Sequence, residues 1–170
     1  MSKADLVIAE KDGVCTIRVA GRANFECGMP LRTFSKNYTD ITKKIVIDLR
    51  ECESMDSTFM GILTMLALKA KKLNTELELV NATDYCRALL RGLGVEKMFK
   101  FTACETDVSN GSSLVNGDAK NDKIGAAEAV VDAHKTLMDV SLDNIAKFEK
   151  VVEFAESDLE RFKEDKKQTE

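Results

Sequence analysis

The 170-residue chain has no long apolar run, no closely spaced cysteine pair and no excess of positive charge. Its longest apolar stretch, Phe59 to Leu68, is interrupted by Gly61 and is far shorter than the roughly 20 residues that a membrane span needs. The segment that begins at Met1 has no apolar signal-peptide core, so we expect a cytoplasmic protein and no secretion. The net charge of −4 gives no electrostatic reason to expect nucleic acid or membrane insertion.

The five cysteines, Cys15, Cys27, Cys52, Cys86 and Cys104, are odd in number and far apart. Disulfide frameworks and zinc sites usually show paired spacings such as C-x-x-C. We therefore predict reduced thiols that act mainly as small apolar side chains, and not redox sensors.

Histidine is scarcer still, because His134 is the single one in the chain. It lies far from every cysteine in the sequence, which argues against Ser–His, Cys–His and multi-histidine metal sites. Lone histidines are more often surface residues or satisfied core residues. The chain also has no glycine-rich phosphate loop and no metal-ligand spacing, so the sequence predicts no metal, no cofactor and a binding module in place of an enzyme.

Two parts of unequal charge make up the chain, and the acidic excess lies beyond residue 108. Small, polar, turn-forming residues fill positions 109–118 between them. We therefore predict a domain over residues 1–105, a flexible linker over 106–121 and a helical extension over 122–168.

The first part alternates strand and helix signals in the order β-β-α-β-α-β-α-β. Residues 14–20 alternate between apolar and polar, whereas 45–49 are almost continuously apolar, as in a central strand covered on both faces. Residues 59–73 follow the helical period of 3.6. With right-handed crossovers, these signals predict an α/β fold. We expect a small mixed, mostly parallel sheet of about five strands, helices on one face and a partly wet second face.

The helical extension carries apolar residues every seven positions: Ile124, Val131, Met138, Ile145, Val152 and Leu159. It is either one long helix or a helical hairpin broken near 139–141, with Ser141 as the N-cap of the second helix. The apolar stripe needs a surface, which could be the wet sheet face, a partner or a second copy of the chain. The sustained heptad favours a homodimer through residues 122–165.

The most informative segment is Asp56-Ser57-Thr58, which follows the central strand and opens an apolar helix. These residue types are preferred N-caps, so capping is the simplest interpretation. Alternatively, the Ser57 hydroxyl accepts a phosphate, which the helix N-terminus would stabilise and whose charge of about −2 would repel a docked partner. Phe59 and Met60 would then be partly exposed at the docking edge, although Phe59 fits a core position equally well.

From about Leu6 to Phe101 the chain resembles the STAS domain family, which includes bacterial anti-sigma factor antagonists and the tails of sulfate transporters. The resemblance rests on a strand ending in Asp48-Leu49 and on the helix start Asp56-Ser57-Thr58-Phe59-Met60-Gly61. Residues 77–81 and 87–99 match the next strand and the last helix with its turn. Phe59 departs from the pattern, because the family usually has glycine there, and the extension lies outside it.

The resemblance implies a partner switch. In antagonists, a serine kinase that is itself an anti-sigma factor phosphorylates the serine after the aspartate, and a PP2C-type phosphatase reverses the step. Transferred to this chain, the acceptor is Ser57, with Thr58 as the second choice. The implied partner-binding surface comprises Gly21, Arg22, Asn24, Phe25, Asp56, Ser57, Thr58, Phe59, Met60 and Gly61. The alternative function is a non-phosphorylated STAS scaffold subunit of a transporter or signalling complex, in which Ser57 is only a cap.

Overall fold

The structure, a computed structural model, describes residues 4–114 and 121–170. In chain order the elements are β1 (Asp5–Lys11), β2 (Val14–Ala23), α1 (Phe25–Asn37), β3 (Lys44–Met55), α2 (Ser57–Lys72), β4 (Glu76–Val80), α3 (Asp84–Gly92), a short 3₁₀ helix (Glu96–Met98), β5 (Lys100–Thr102), β6 (Ser112–Ser113), α4 (Lys123–Val140) and α5 (Asp143–Thr169).

Six strands form one sheet in the order β5-β4-β3-β2-β1-β6. The neighbours β2–β3, β3–β4 and β4–β5 are parallel, whereas β1 is antiparallel to both β2 and β6. The predicted α/β fold with a small mixed, mostly parallel sheet is confirmed. The additional strand β6 has only two residues and pairs with Val7 and Ile8. A strand this short shows no apolar alternation, so the sequence does not predict it.

One face of the sheet packs against α1, α2 and α3 in a single core. In β2, Cys15, Ile17 and Val19 are buried and alternate with more exposed residues, as predicted. Residues 45–49 of β3 are buried on both faces, which places this strand in the centre of the sheet. The buried strand ends directly before α2, and it thereby fixes the position of that helix start.

Part of the segment predicted as a flexible linker is attached to the sheet. The hydroxyl of Thr106 donates to the carboxylate of Asp48, and the Arg18 guanidinium donates to the Thr106 carbonyl at 3.0 Å. Residues 112–113 form β6. The small polar residues that predict a linker also supply the hydrogen-bonding groups that attach this segment to the sheet. Residues 115–120 of the predicted linker, like residues 1–3 of the predicted domain, lie outside the described residues.

The C-terminal hairpin, defined as residues 123–169, consists of α4 and α5 running in opposite directions. Ion pairs Lys135–Glu156 (2.6 Å) and Glu128–Lys163 (3.8 Å) connect the two helices. Ser141 lies in the turn but is not the predicted N-cap, because α5 begins at Asp143 without a side-chain cap. The Ser141 carbonyl instead accepts the backbone N–H of Asn144 at 3.0 Å.

The hairpin packs on α1 and α2, and not on the wet face of the sheet that the sequence offered as one of its surfaces. The second face carries charges that pair with one another: Glu78 lies 3.3 Å from Lys44 and 2.9 Å from Lys100. The bond from Lys100, together with Lys44, lowers the pKa of Glu78 to about 2. Covering these ions with an apolar stripe would cost desolvation energy, so the helical side is the better surface. In the described part of the chain, no helix is long and apolar enough to cross a membrane.

Candidate partner-binding site at the start of helix α2

The start of α2 is capped by Asp56, and Ser57 is the first residue of the helix. The Asp56 carboxylate accepts the backbone N–H of Phe59 at 2.8 Å. The first backbone N–H groups of a helix have no partner within the helix, and this bond satisfies one of these groups. Because Asp56 performs the capping, the hydroxyl of Ser57 is available for another role.

The Ser57 hydroxyl contacts His134 of α4, with 2.9 Å between Oγ and Nε2. The other ring nitrogen, Nδ1, lies 2.7 Å from the Val130 carbonyl oxygen, which can only accept. In the neutral ring Nδ1 therefore carries the hydrogen, and Ser57 donates its own to Nε2. The imidazole is 3% exposed and packs edge-on against Phe148, with 4.9 Å between ring centroids. No motif in the sequence pairs these residues, which are separated by 77 positions.

The loop between β2 and α1 lies beside this helix start, as the resemblance implies. The backbone N–H of Asp56 donates to the Ala23 carbonyl at 3.0 Å, which joins the two segments. Gly21 has a φ of 74°, a conformation that favours glycine, and it lies where the register between β2 and β3 shifts. Asn24 caps α1 by accepting the Glu26 N–H at 3.0 Å.

Exposure divides the ten residues of the implied surface into three groups. Arg22 and Asp56 are exposed, and Asn24, Phe25 and Ser57 are half-buried. The remaining five are buried: Gly21, Thr58, Phe59, Met60 and Gly61. The described chain thus brings the implied surface together but leaves only its rim accessible.

The expectation that Phe59 and Met60 are partly exposed is wrong. Phe59 is 0% exposed and points towards α1, where a Cβ added to Gly28 would lie 4.0 Å from its ring. Met60 is 5% exposed. Phe59 continues the apolar stripe of α2 and therefore enters the core, as the alternative interpretation had it. Met60 is buried on a helix that the C-terminal hairpin also covers.

Gly61 is a point of close approach between α4 and α2. A Cβ added to Gly61 would lie 2.5 Å from the carbonyl oxygen of Ala133 and 2.7 Å from its Cβ. Atoms of side chains cannot approach so closely, so this position requires glycine while α4 is docked.

A groove of about 610 Å³ opens beside the helix start. Phe25, Asp56 and Thr58 form one wall, and the hairpin forms the other. The apolar hairpin residues along it include Ala126, Val130, Val151, Phe154 and Phe162. The groove is therefore an apolar surface adjoining the Ser57 region.

A family model described as "Mlab, STAS domain" matches residues 6–101, which is more than half of the chain. The chain belongs to the STAS domain family. A STAS-domain containing protein of Pseudomonas aeruginosa (strain UCBPP-PA14) is 28% identical over 87 residues, which cover 51% of this chain and 86% of that protein. The hairpin lies outside the residues that the family model matches.

Two solved structures share the fold of the STAS domain. One is the Bacillus cell fate determinant SpoIIAA in its phosphorylated form, with a TM-score of 0.50 and 13% identity, covering 59% of this chain and 91% of that one. The other is a sulfate transporter family protein from Wolinella succinogenes, with a TM-score of 0.50 and 18% identity, covering 55% and 80%. At these identities the likeness concerns the fold.

Asp48 lies in the apolar run of β3 in the STAS domain and is 1% exposed. Its carboxylate accepts hydrogen bonds from several groups. Burial raises the pKa of its carboxyl group, but hydrogen bonds from Thr106, the backbone N–H of Arg50 and Asn81 outweigh burial and keep the pKa below its ordinary value. The carboxylate therefore stays charged and fastens the segment after β5 to the central strand.

Four cysteines of the STAS domain are buried, and Cys104 is exposed. Burial raises the pKa of Cys15 to about 12 and that of Cys27 to about 11, so both remain thiols. This agrees with their expected use as apolar side chains. Within residues 4–114 and 121–170, no group of three or more histidine, cysteine, aspartate or glutamate side chains is placed to hold a metal ion.

Proposed function

We propose that the protein is an anti-sigma factor antagonist, a binding module whose partner contacts are switched by phosphorylation of Ser57. The observation that carries the proposal is the Ser57 hydroxyl, which lies at the first residue of α2 and takes no part in capping. It occupies the position where the family resemblance puts the phosphorylated serine. The buried neighbour Thr58 is the second choice.

The helix start provides a physical reason why a phosphate at Ser57 would be tolerated. The positive end of the helix dipole favours an anion at this position. The same phosphate would add a charge of about −2 beside Phe25 of the implied partner-binding surface. A partner that docks there through apolar contacts would be repelled, which is the basis of the switch.

The partners in this proposal are a serine kinase that acts as the anti-sigma factor and a PP2C-type phosphatase. The setting is the bacterial cytoplasm, where the switch regulates transcription. The loop residues Gly21, Arg22, Asn24 and Phe25 flank the helix start and complete the binding surface. The protein itself supplies recognition and a phosphate acceptor, and catalysis belongs to its partners.

Incubation of the full chain with ATP and an anti-sigma-type kinase tests the proposal. We expect mass spectrometry to find one phosphate on the peptide that contains Ser57. Ser57→Ala should abolish it while kinase binding is kept, because only a hydroxyl is lost. The matched variant Thr58→Ala should be phosphorylated like the wild type. Equal phosphorylation of Ser57→Ala and the wild type would contradict the assignment and point to Thr58.

A second candidate function is a non-phosphorylated scaffold subunit of a transporter or signalling complex. Two observations favour it: the fold is shared with a sulfate transporter family protein, and the Ser57 hydroxyl is occupied by His134. In a scaffold, the Ser57–His134 bond would simply attach the hairpin. A chain that gains no phosphate but still binds its complex when Ser57 is alanine would fit this function.

We also propose a homodimer through the C-terminal helices, now restricted to α5. Within the chain, α4 buries Val131 and Leu137, whereas Phe154 of α5 is 72% exposed and borders the groove. Burial of such residues against a second copy would be favourable. Light scattering of the full chain should give a dimer that Phe154→Ser weakens. A wild-type monomer at high concentration would contradict the dimer.

A further inference from the structure

Helix α4 lies over the helix start that contains Ser57. His134 occupies the Ser57 hydroxyl, and the Ala133 carbonyl lies against Gly61. The surface that the proposed function gives to the kinase is thus occupied by a segment of the same chain. A kinase active site must surround the Ser57 hydroxyl, and it has no access while the imidazole lies 2.9 Å away.

Contacts remote from Ser57 hold the hairpin in this position. On α1, Arg32 donates to Asp132 at 2.6 Å, and its side chain is only 11% exposed. At the end of α3, the Leu93 carbonyl accepts from the 1% exposed Asn144 at 2.9 Å, and the Gly92 carbonyl accepts from Lys147 at 2.9 Å. The first bond holds α4 and the other two hold α5, all without Ser57, so the covering of Ser57 does not depend on the Ser57–His134 bond alone.

Small side chains make up much of the buried face of α4. Ala127, Ala129 and Ala133 are buried there, together with Val131 and Leu137. Each alanine removes less apolar area from water than a leucine or phenylalanine would, so separation of α4 from α2 costs less than separation of a conventional helix pair. We therefore expect α4 to separate at a lower cost than unfolding of the STAS domain, although Ala133 and Leu137 belong to the same core.

We propose that the C-terminal hairpin is an intramolecular competitor of the kinase for the start of α2, and that a phosphate on Ser57 keeps the hairpin undocked. This inference rests on the proposed function, because it concerns the regulation of the same serine. The described chain is then the closed form, and an open form with α4 displaced is the kinase substrate.

The chemistry of the transfer supports exclusion in both directions. A new bond joins Ser57 Oγ to the γ-phosphorus of ATP, the bond from that phosphorus to the bridging oxygen of ADP breaks, and the hydroxyl proton leaves to a base of the kinase. In the closed form, with a neutral imidazole, that proton is donated to His134. After transfer Oγ has no hydrogen to donate, and a tetrahedral phosphoryl group would need the space that the imidazole occupies.

The rate of phosphorylation should be proportional to the fraction of molecules in the open form, because only these molecules bind the kinase. A substitution that displaces α4 should therefore accelerate it. Ala133→Arg inserts a long cation at a residue that is 0% exposed and touches Gly61. Asp139→Asn changes the net charge by the same amount on an exposed part of α4 and serves as the control.

The first experiment compares phosphorylation rates of the full-length chains by an anti-sigma-type kinase with ATP. We expect Ala133→Arg to be phosphorylated at least tenfold faster than the wild type, and Asp139→Asn at the wild-type rate. Equal rates for all three would overturn the inference while leaving the proposed function intact. If Ala133→Arg fails to fold, Asp132→Arg places a cation against Arg32 and Lys36 of α1, and it should accelerate phosphorylation in the same way.

A second experiment needs no kinase and keeps the two proposals apart. Phosphoserine is incorporated at position 57 of the full chain, and hydrogen exchange of peptides from α4 is measured by mass spectrometry. We expect exchange in α4 at least tenfold faster than in the unmodified chain, with β3 unchanged. Equal or slower exchange would overturn the inference, since His134 would then hold the phosphate. Absence of kinase phosphorylation even in Ala133→Arg would instead count against the proposed function.

Discussion

Replacement of Phe59 by alanine should lower the free energy of unfolding by about 3–5 kcal/mol, the usual loss for a large aromatic side chain deleted from a core. The ring is 0% exposed and lies between α2 and α1, where a Cβ added to Gly28 would be 4.0 Å from it. Chemical denaturation of the full chain, followed by far-ultraviolet circular dichroism, measures this loss. The cavity left behind should also loosen α2 directly after Ser57.

Tyr85→Ala is the matched control, because it deletes an aromatic ring of similar size from a position in α3 that is 58% exposed. Its effect on stability should remain within about 0.5 kcal/mol, as for most surface substitutions. If Phe59→Ala kept its stability but lost affinity for a partner, Phe59 would be an interface residue and its burial in the structure would be contradicted. The pair of variants therefore separates a core role from a docking role.

The sheet and its order could be predicted because each strand and helix has its own apolar period. Residues 45–49 are buried on both faces, as their nearly continuous apolar character indicated. Strand β6 could not be found in this way, since two serines pair with β1 through backbone groups and side-chain pattern plays no part. Local patterns reveal elements that bury a face, and they miss those held only by hydrogen bonds.

The candidate site was predictable in its position and not in its surroundings. The order of motifs located Ser57. The heptad stripe of the extension indicated only that the stripe must pack against some surface. Which surface was chosen depends on contacts between distant residues, such as Arg32 with Asp132. His134 is a satisfied core residue, as a lone histidine commonly is, but its contact with Ser57 depends on the same docking and was not expected.

Addition of one methyl group at Gly61 should displace α4 while leaving the STAS domain folded. In Gly61→Ala, the new Cβ would lie 2.5 Å from the Ala133 carbonyl oxygen, a backbone atom that can move only with its helix. Overpacking of this kind costs about 1–3 kcal/mol. Hydrogen exchange in α4 should therefore accelerate roughly 5- to 150-fold, and the Ser57–His134 bond should be lost.

Gly92→Ala makes the same substitution at the end of α3, where an added Cβ would meet no described atom within 4 Å. Alanine is favoured over glycine within a helix by about 1 kcal/mol, so both variants should gain local helix stability. Only Gly61→Ala should also lose protection in α4, because only there does the methyl group meet Ala133. Unchanged α4 exchange in Gly61→Ala would mean that α4 does not rest on Gly61 in solution. Faster exchange confined to that variant would tie the closed form to this single close approach between two helices.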